Sequence, residues 1–166
     1  MAELRMRSEN RNQKRVHAGF SLIELLVVMT IMLIVLAFAI PNMATAVESY
    51  RLEVASRTIS GKLTDARIWA IKQNRQSWLE FRSDVRTCQV QSADAAGVVI
   101  DIGPAESLPA GIAFDTLPTP AHIIYDPMGR IANVPNPPFF QVRLRVVRSG
   151  QSKTLTVSSA GKVTAQ

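Results

Sequence analysis

An apolar run from Phe20 to Ile40 constrains this 166-residue chain more than any other feature. Glu24 is the only charged residue within the run. At a helical rise of about 1.5 Å per residue the run spans roughly 30 Å, the thickness of a bilayer core. The sequence therefore predicts a membrane-spanning helix over 20–41. A carboxylate inside such a helix is costly enough to indicate a function.

The leader that precedes this run, residues 1–19, carries five Arg or Lys residues and two Glu residues, and so holds half of the chain's net charge of +6. Cationic flanks stay in the cytoplasm, so the rest of the chain is predicted to lie across the membrane. A secretory signal has its small-residue cleavage site after the apolar region, whereas here Ala18-Gly19 comes before it. Because the leader supplies so much of the basicity, the high pI is weak support for nucleic-acid binding.

The segment Gly19-Phe20-Ser21-Leu22-Ile23-Glu24-Leu25-Leu26-Val27-Val28, with its basic leader, resembles the class III prepilin leader of type IV pilins and type II secretion pseudopilins. The resemblance implies that a prepilin peptidase cleaves between Gly19 and Phe20 and that the new N-terminus, Phe20, is methylated. It also implies assembly with other pilins or pseudopilins on an inner-membrane platform. Pro41 falls where many pilins carry a helix-kinking proline, and a kink is predicted there.

Glu24 lies four residues after Phe20, about 6 Å along a helix. After cleavage, the Phe20 α-ammonium of one subunit could pair with the Glu24 carboxylate of a neighbour. Such pairing would remove the cost of a carboxylate in hydrocarbon and make assembly specific for one register. The alternative is that Glu24, one turn into the helix, reaches back to the membrane interface.

The chain from Asn42 to about Asn74 has the periodicity of an amphipathic helix. Its apolar positions recur at spacings of seven, four, three and four: Leu52, Ile59, Leu63, Ala66 and Ala70. A single long helix from Phe20 to near Gln73 is therefore predicted, with one half in lipid and the other packed on a domain.

Beyond Asn74, short apolar runs alternate with Gly, Pro, Asn and Asp, which predicts strands. We predict them at 77–81, 87–91, 98–102, 112–114, 123–125, 140–147, 154–157 and 162–164. The run 140–146 alternates with a period of two, and Ser149-Gly150-Gln151 is typical of a hairpin turn to the next strand. The fold class is α+β, with the amphipathic helix laid on an antiparallel sheet. The type IV pilin-like fold has this architecture.

Three later segments resemble the H-type minor pseudopilins and FimT-like minor pilins: Leu63–Ala70, Tyr125–Arg130 and Val157–Val163. The resemblance implies a cleaved leader (1–19), a transmembrane and assembly helix (20–41), an amphipathic helix (42–74) and a β-rich periplasmic domain (75–166). The chain is then a single-pass inner-membrane protein that joins a type II secretion filament and helps to drive protein export.

The pattern for an enzyme is missing from the sequence, and no cofactor or metal is predicted. His17 lies in the leader, which leaves His122 as the only histidine of the mature chain. No Cys/His set has metal-ligand spacing, and no nucleophile elbow or phosphate-binding glycine loop is present. Cys88 is the only cysteine, and we interpret it as a buried or half-buried thiol in a strand. The alternative is an intermolecular bridge or a reactive thiol.

Two other functions remain open. Basic residues near the C-terminus form either an ordinary solvated sheet face, which we favour, or a phosphate-binding patch: Arg143, Arg145, Arg148, Lys153 and Lys162. That patch would suit a FimT-like minor type IV pilin in pilus assembly or DNA uptake, although the tail after Gly161 offers one lysine only. A plain signal-anchored binding domain is the third possibility, and it would keep its leader.

Overall fold

The computed structural model describes residues 20–133 and 138–166, with only the backbone described at Pro41. The leader, including Gly19, lies outside the described residues. The chain forms two compact units, one that ends at Ile40 and one from Pro41 to Gln166. The elements in chain order are α1 (Leu22–Gln73), β1 (Ser77–Arg82), β2 (Thr87–Ala93), β3 (Val99–Ser107), β4 (Ile112–Thr116), β5 (His122–Tyr125), β6 (Phe139–Val146), β7 (Ser152–Ser158) and β8 (Val163–Ala165).

The long helix is confirmed, and both of its ends have local causes. The backbone oxygen of Ser21 accepts a hydrogen bond from Leu25 N at 3.2 Å. Glu24 lies in the first turn, where a negative side chain interacts favourably with the positive end of the helix dipole. At the other end Asn74 takes a left-handed φ of 52°. Arg75 N then donates to Ala70 O at 3.2 Å, the six-to-one bond with which helices commonly end. The predicted kink at Pro41 stays a prediction.

All eight predicted strands are present, seven of them within two residues of the predicted bounds, whereas β3 ends five residues later than predicted. They form two four-stranded antiparallel sheets rather than one: the first has the order β3-β2-β1-β5 and the second the order β4-β6-β7-β8. Strand periodicity predicts where the strands lie but not which strands pair. In the structure β4 pairs with β6, and β5 pairs with β1. The hairpin from β6 to β7 is confirmed, with Gly150 at a φ of 74°.

One hydrophobic core lies in the second unit and takes residues from α1 and from both sheets. The predicted apolar helix face is confirmed, since its members are fully or almost fully buried: Leu52, Ile59, Leu63, Ala66 and Ala70. Strand β6 alternates as predicted, with Val142 and Leu144 fully buried and Arg143 exposed between them. Phe81 of the first sheet meets Phe114 of the second edge to face, with ring centroids 5.7 Å apart.

Candidate functional site

The first residues of the chain that the structure describes present an unusual surface. Phe20 is 82% exposed, and every described large apolar side chain from Leu22 to Ile40 is between 45% and 83% exposed. A soluble protein rarely leaves a contiguous apolar surface of this size in water. Helix α1 is also long and apolar enough to cross a membrane. This surface therefore requires lipid, other helices, or both.

Glu24 is exposed on this apolar segment, in the first turn of α1. Ser21 and Glu24 have the spacing of a capping box, in which a Glu or Gln at the third helical position supports the helix start. A local role in starting the helix thus competes with pairing to a neighbouring subunit. The two roles differ chemically, because Gln can serve a capping box but cannot neutralise an ammonium group.

The five basic residues of the proposed phosphate patch do not form a free cationic surface. Arg145 pairs with Asp115 at 3.2 Å, Arg148 with Glu48 at 3.6 Å, and the Lys153 ammonium group with the Glu53 carboxylate. Arg143 donates to Thr154 Oγ1 at 3.4 Å, and Lys162 is exposed on the turn before β8. Because three of the five cations face carboxylates, the five residues together present less net positive charge to an extended phosphate backbone, although Arg148 is paired through one nitrogen and keeps further N–H donors.

Glu53 connects two elements, since its carboxylate accepts from Lys153 of β7 and from Arg57 Nε of α1 at 2.9 Å. Hydrogen bonding from Lys153, and then from Arg57, lowers the pKa of the Glu53 carboxyl below its ordinary value of 4.5. The sequence does not predict the contact between Glu53 and Lys153, because the two residues lie 100 positions apart. Helical spacing indicates only the pair with Arg57, one turn away.

This lowered pKa predicts a pH dependence of stability. A carboxyl whose pKa is depressed by folding stabilises the fold above its unfolded pKa, and that stabilisation is lost as pH falls below about 4.5. We expect Glu53→Gln to lower the melting temperature at pH 7 and to make its fall between pH 7 and pH 3 shallower than in the wild type. Thermal unfolding of the full chain in detergent at several pH values measures both.

Glu80→Gln is the matched control for this measurement, since its ion pair with Arg82 lies within one strand and joins no two elements. If Glu53→Gln and the wild type lose the same stability on acidification, Glu53 does not carry the expected linkage.

The three segments that carried the later resemblance meet in space. Arg67 Nε donates to Gly129 O at 2.8 Å, which ties helix α1 to the turn after β5. A Cβ on Gly161 would lie 2.7 Å from that same Gly129 oxygen and 3.1 Å from the ring of Tyr125. We call Arg67, Tyr125, Gly129 and Gly161 the glycine junction. Both glycines have a positive φ, 74° and 76°, so their backbone conformation also favours glycine.

The glycine junction is packed rather than open. Tyr125 is fully buried, and burial raises the pKa of its hydroxyl to about 12. The resemblance of these segments therefore marks a structural contact between a helix and two turns. Spacing could not reveal it, because each glycine read alone indicates only a local turn.

The remaining candidate residues have structural positions. Cys88 is 1% exposed in β2, as predicted, and burial raises the pKa of its thiol to about 11. His122 begins β5 and is half-buried. Among residues 20–133 and 138–166, no cluster of three or more His, Cys, Asp or Glu side chains is arranged to hold a metal ion.

Comparison with known proteins identifies a motif at the N-terminus and relatives of the fold. The model of the prokaryotic N-terminal methylation motif matches residues 14–40, a range that includes Gly19, Phe20 and Glu24. No curated protein gives a significant match to the chain.

Two groups of solved structures share the fold. The type IV minor pilin FimU of Pseudomonas aeruginosa PAO1 is 16% identical, with a TM-score of 0.56 over 72% of this chain and 90% of that one. The minor pseudopilin EpsH of the Vibrio cholerae type 2 secretion system is 12% identical, with a TM-score of 0.56 over 70% of this chain and 96% of that one. The chain therefore has the type IV pilin-like fold and carries the methylation motif that accompanies it.

Proposed function

We propose that this type IV pilin-like chain is a minor pseudopilin of a type II secretion filament, where it assembles through its N-terminal helix and helps to drive protein export. The observation that carries the proposal is the pairing of the methylation motif over 14–40 with the pilin-like fold of the second unit. Neither feature needs catalysis by this chain, and the similar solved structures are filament subunits rather than enzymes.

The proposed maturation begins at the cytoplasmic face of the inner membrane. A prepilin peptidase cleaves between Gly19 and Phe20, and Phe20 is N-methylated. Residues 20–41 hold the chain in the membrane as a single pass, and the β-rich domain lies in the periplasm. On the inner-membrane assembly platform, the exposed apolar face of this segment passes from lipid to the helices of neighbouring subunits.

Glu24 gives this transfer its register in the proposed function. In lipid its carboxylate costs about 2.5–3.5 kcal/mol near the middle of a bilayer and less near the interface. Docking beside the Phe20 ammonium of a neighbour replaces that cost with a charge-assisted hydrogen bond. A subunit displaced by one residue along the filament forfeits the pair, so correct register is favoured.

A minor type IV pilin of the FimT-like kind is the second candidate, favoured by the equal structural likeness to FimU. Its role would lie in pilus assembly or DNA uptake. The ion pairs of Arg145, Arg148 and Lys153 weigh against DNA capture by the basic face. If DNA is bound there, Arg143→Ala with Lys162→Ala should lower affinity and reduce its salt dependence.

Crosslinking in cells distinguishes the two candidates. A photo-crosslinker at Tyr50, which is 70% exposed on α1, should trap neighbouring subunits, and mass spectrometry then identifies them. Ser56, 2% exposed on the same helix, is the matched control position and should trap none. Secretion pseudopilins as neighbours support the proposal, pilus subunits support the FimT-like alternative, and an uncleaved leader in the membrane protein overturns both.

A further inference from the structure

Three segments meet at one end of the second unit. The turn between β6 and β7 is tied to α1 by the Arg148–Glu48 pair at 3.6 Å and by a hydrogen bond from Ser49 Oγ to Gln151 Oε1 at 3.1 Å. The loop before β4 is tied to the same helix by Arg51, which donates to Ala110 O at 3.3 Å. Side-chain contacts therefore fix both loops to helix α1 at this end of the unit.

This surface combines exposed apolar side chains with arginines. On α1, Met43 is 71% exposed, Val47 is 44% exposed and Tyr50 is 70% exposed, and their spacings of four and three place them on one helix face. Val147 of the turn is 62% exposed. An open groove of about 340 Å³ lies between the two segments, and its lining includes Arg51, Arg148 and the Glu48 carboxylate. We call Met43, Val47, Tyr50, Arg51, Val147 and Arg148 the collar.

The chain position of the collar limits what it can meet. Met43 follows the apolar run by three residues and Val47 by seven. Because a chain extends by at most about 3.6 Å per residue, Met43 lies within about 11 Å of Ile40 and Val47 within about 25 Å, whatever the path of the chain at Pro41. The headgroup layer on each side of a bilayer is roughly 5–8 Å thick. If residues 20–40 span the membrane, the collar begins at headgroup depth.

Its two arginines are held in place and keep unused donors. Arg148 uses Nη1 on Glu48, and Arg51 uses Nη1 on Ala110 O. A guanidinium group has five N–H donors, so each retains several for a second acceptor, and the Arg148 side chain is 79% exposed. A phosphate diester suits this fork, while Met, Val and Tyr side chains suit the boundary between headgroups and acyl chains.

We propose that the collar is a binding surface for anionic phospholipid headgroups, which it contacts while the subunit waits in the membrane before assembly. The inference rests on the proposed anchoring through residues 20–40. Arg148 and Arg51 contact lipid phosphates, and Met43, Val47, Tyr50 and Val147 cover the adjoining interface. The contact restricts the motion of the periplasmic domain about its anchor.

A fluorescence experiment on the full chain in lipid nanodiscs tests this contact. Native Cys88 is 1% exposed with a raised thiol pKa, so a maleimide dye should spare it in the folded chain. The dye is placed at Val147→Cys in the collar or at Val85→Cys, a 57% exposed control in the turn after β1. The discs contain phosphatidylcholine alone or with 30% phosphatidylglycerol, each with a trace of lipid nitroxide-labelled at the headgroup.

In phosphatidylglycerol discs we expect at least twofold stronger quenching at position 147 than at position 85. Arg148→Glu in the Val147→Cys background should remove most of that difference. Quenching that is equal at the two positions overturns the collar proposal. The proposal is also overturned if quenching at position 147 is the same with and without phosphatidylglycerol and is unchanged by Arg148→Glu, because the collar then does not recognise the headgroup.

The same discs separate this proposal from the anchoring on which it rests. Retention of the chain on the discs in high salt reports insertion of the apolar helix, and quenching reports the collar. A chain that is retained without selective quenching refutes the collar alone, and would indicate that other helices cover these residues in a filament. A chain that leaves the discs refutes the anchoring and the collar together.

Discussion

Replacing Glu24 with Gln should reduce incorporation of the mature chain into filaments at least tenfold while leaving its amount in the membrane unchanged. An unpaired charge costs about 3 kcal/mol near the middle of a bilayer and less one helical turn from the interface, and half of that cost corresponds to roughly a tenfold preference for the docked state. Gln carries no charge, so neither the cost in lipid nor the attraction to a Phe20 ammonium remains. The measurement is the fraction of the membrane protein that a photo-crosslinker at Tyr50 joins to neighbouring subunits, by quantitative immunoblot.

Glu24→Gln separates the two roles of this side chain because Gln still fits the capping-box pattern with Ser21. Ser21→Ala is the matched control, since it alters the helix start without touching the carboxylate. Wild-type incorporation of Glu24→Gln combined with poor incorporation of Ser21→Ala would show that the helix start matters and the ion pair does not. Carbonate extraction of the membrane fraction shows whether insertion is intact.

Replacing Gly161 with Ala should destabilise the second unit by about 3 kcal/mol, a fall of about 10 °C in melting temperature. Two costs combine at this position. The left-handed backbone, with φ at 76°, is unfavourable for Ala, and the new Cβ would lie 2.7 Å from the Gly129 backbone oxygen. Neither turn can move away freely, because Arg67 Nε holds that oxygen at 2.8 Å.

Gly97→Ala isolates the first of these costs, since Gly97 has a φ of 81° but open space where its Cβ would lie. It should cost about 1 kcal/mol. Gly129→Ala should lie between the two, because its nearest neighbour is the flexible end of the Ile71 side chain, at 2.7 Å. Thermal unfolding of the three variants in detergent gives the order, and equal losses at Gly97 and Gly161 would contradict the packing of the glycine junction.

Periodicity and composition predicted much of this fold because they record burial. The face from Leu52 to Ala70 and the alternation along 140–146 each follow from which side chains avoid water. Contacts between distant segments leave no such local signature. The pairing of β4 with β6, the pair of Glu53 with Lys153 and the meeting of Gly129 with Gly161 became visible only in three dimensions.

The same difference separates the residues of the candidate site, because a local motif points to some of them and not to the contacts of others. The proposed roles of Phe20 and Glu24 rest on a short sequence motif, in which a single charged residue in an apolar run is conspicuous. The sequence is a poorer guide to the basic patch, because the charge of a patch also depends on residues that lie opposite it in space. Charge runs show which cations share a strand face, but not that Asp115 and Glu48 stand opposite Arg145 and Arg148.

The order of strands has a consequence for how the domain folds. Strand β4 joins the second sheet although it lies in the chain between β3 and β5, which both belong to the first. The first sheet is therefore complete only with β5, after β4 of the second sheet, and the second sheet is complete only with β8 at the C-terminus. Because both sheets and α1 share one hydrophobic core, we infer that the two sheets unfold in one cooperative transition.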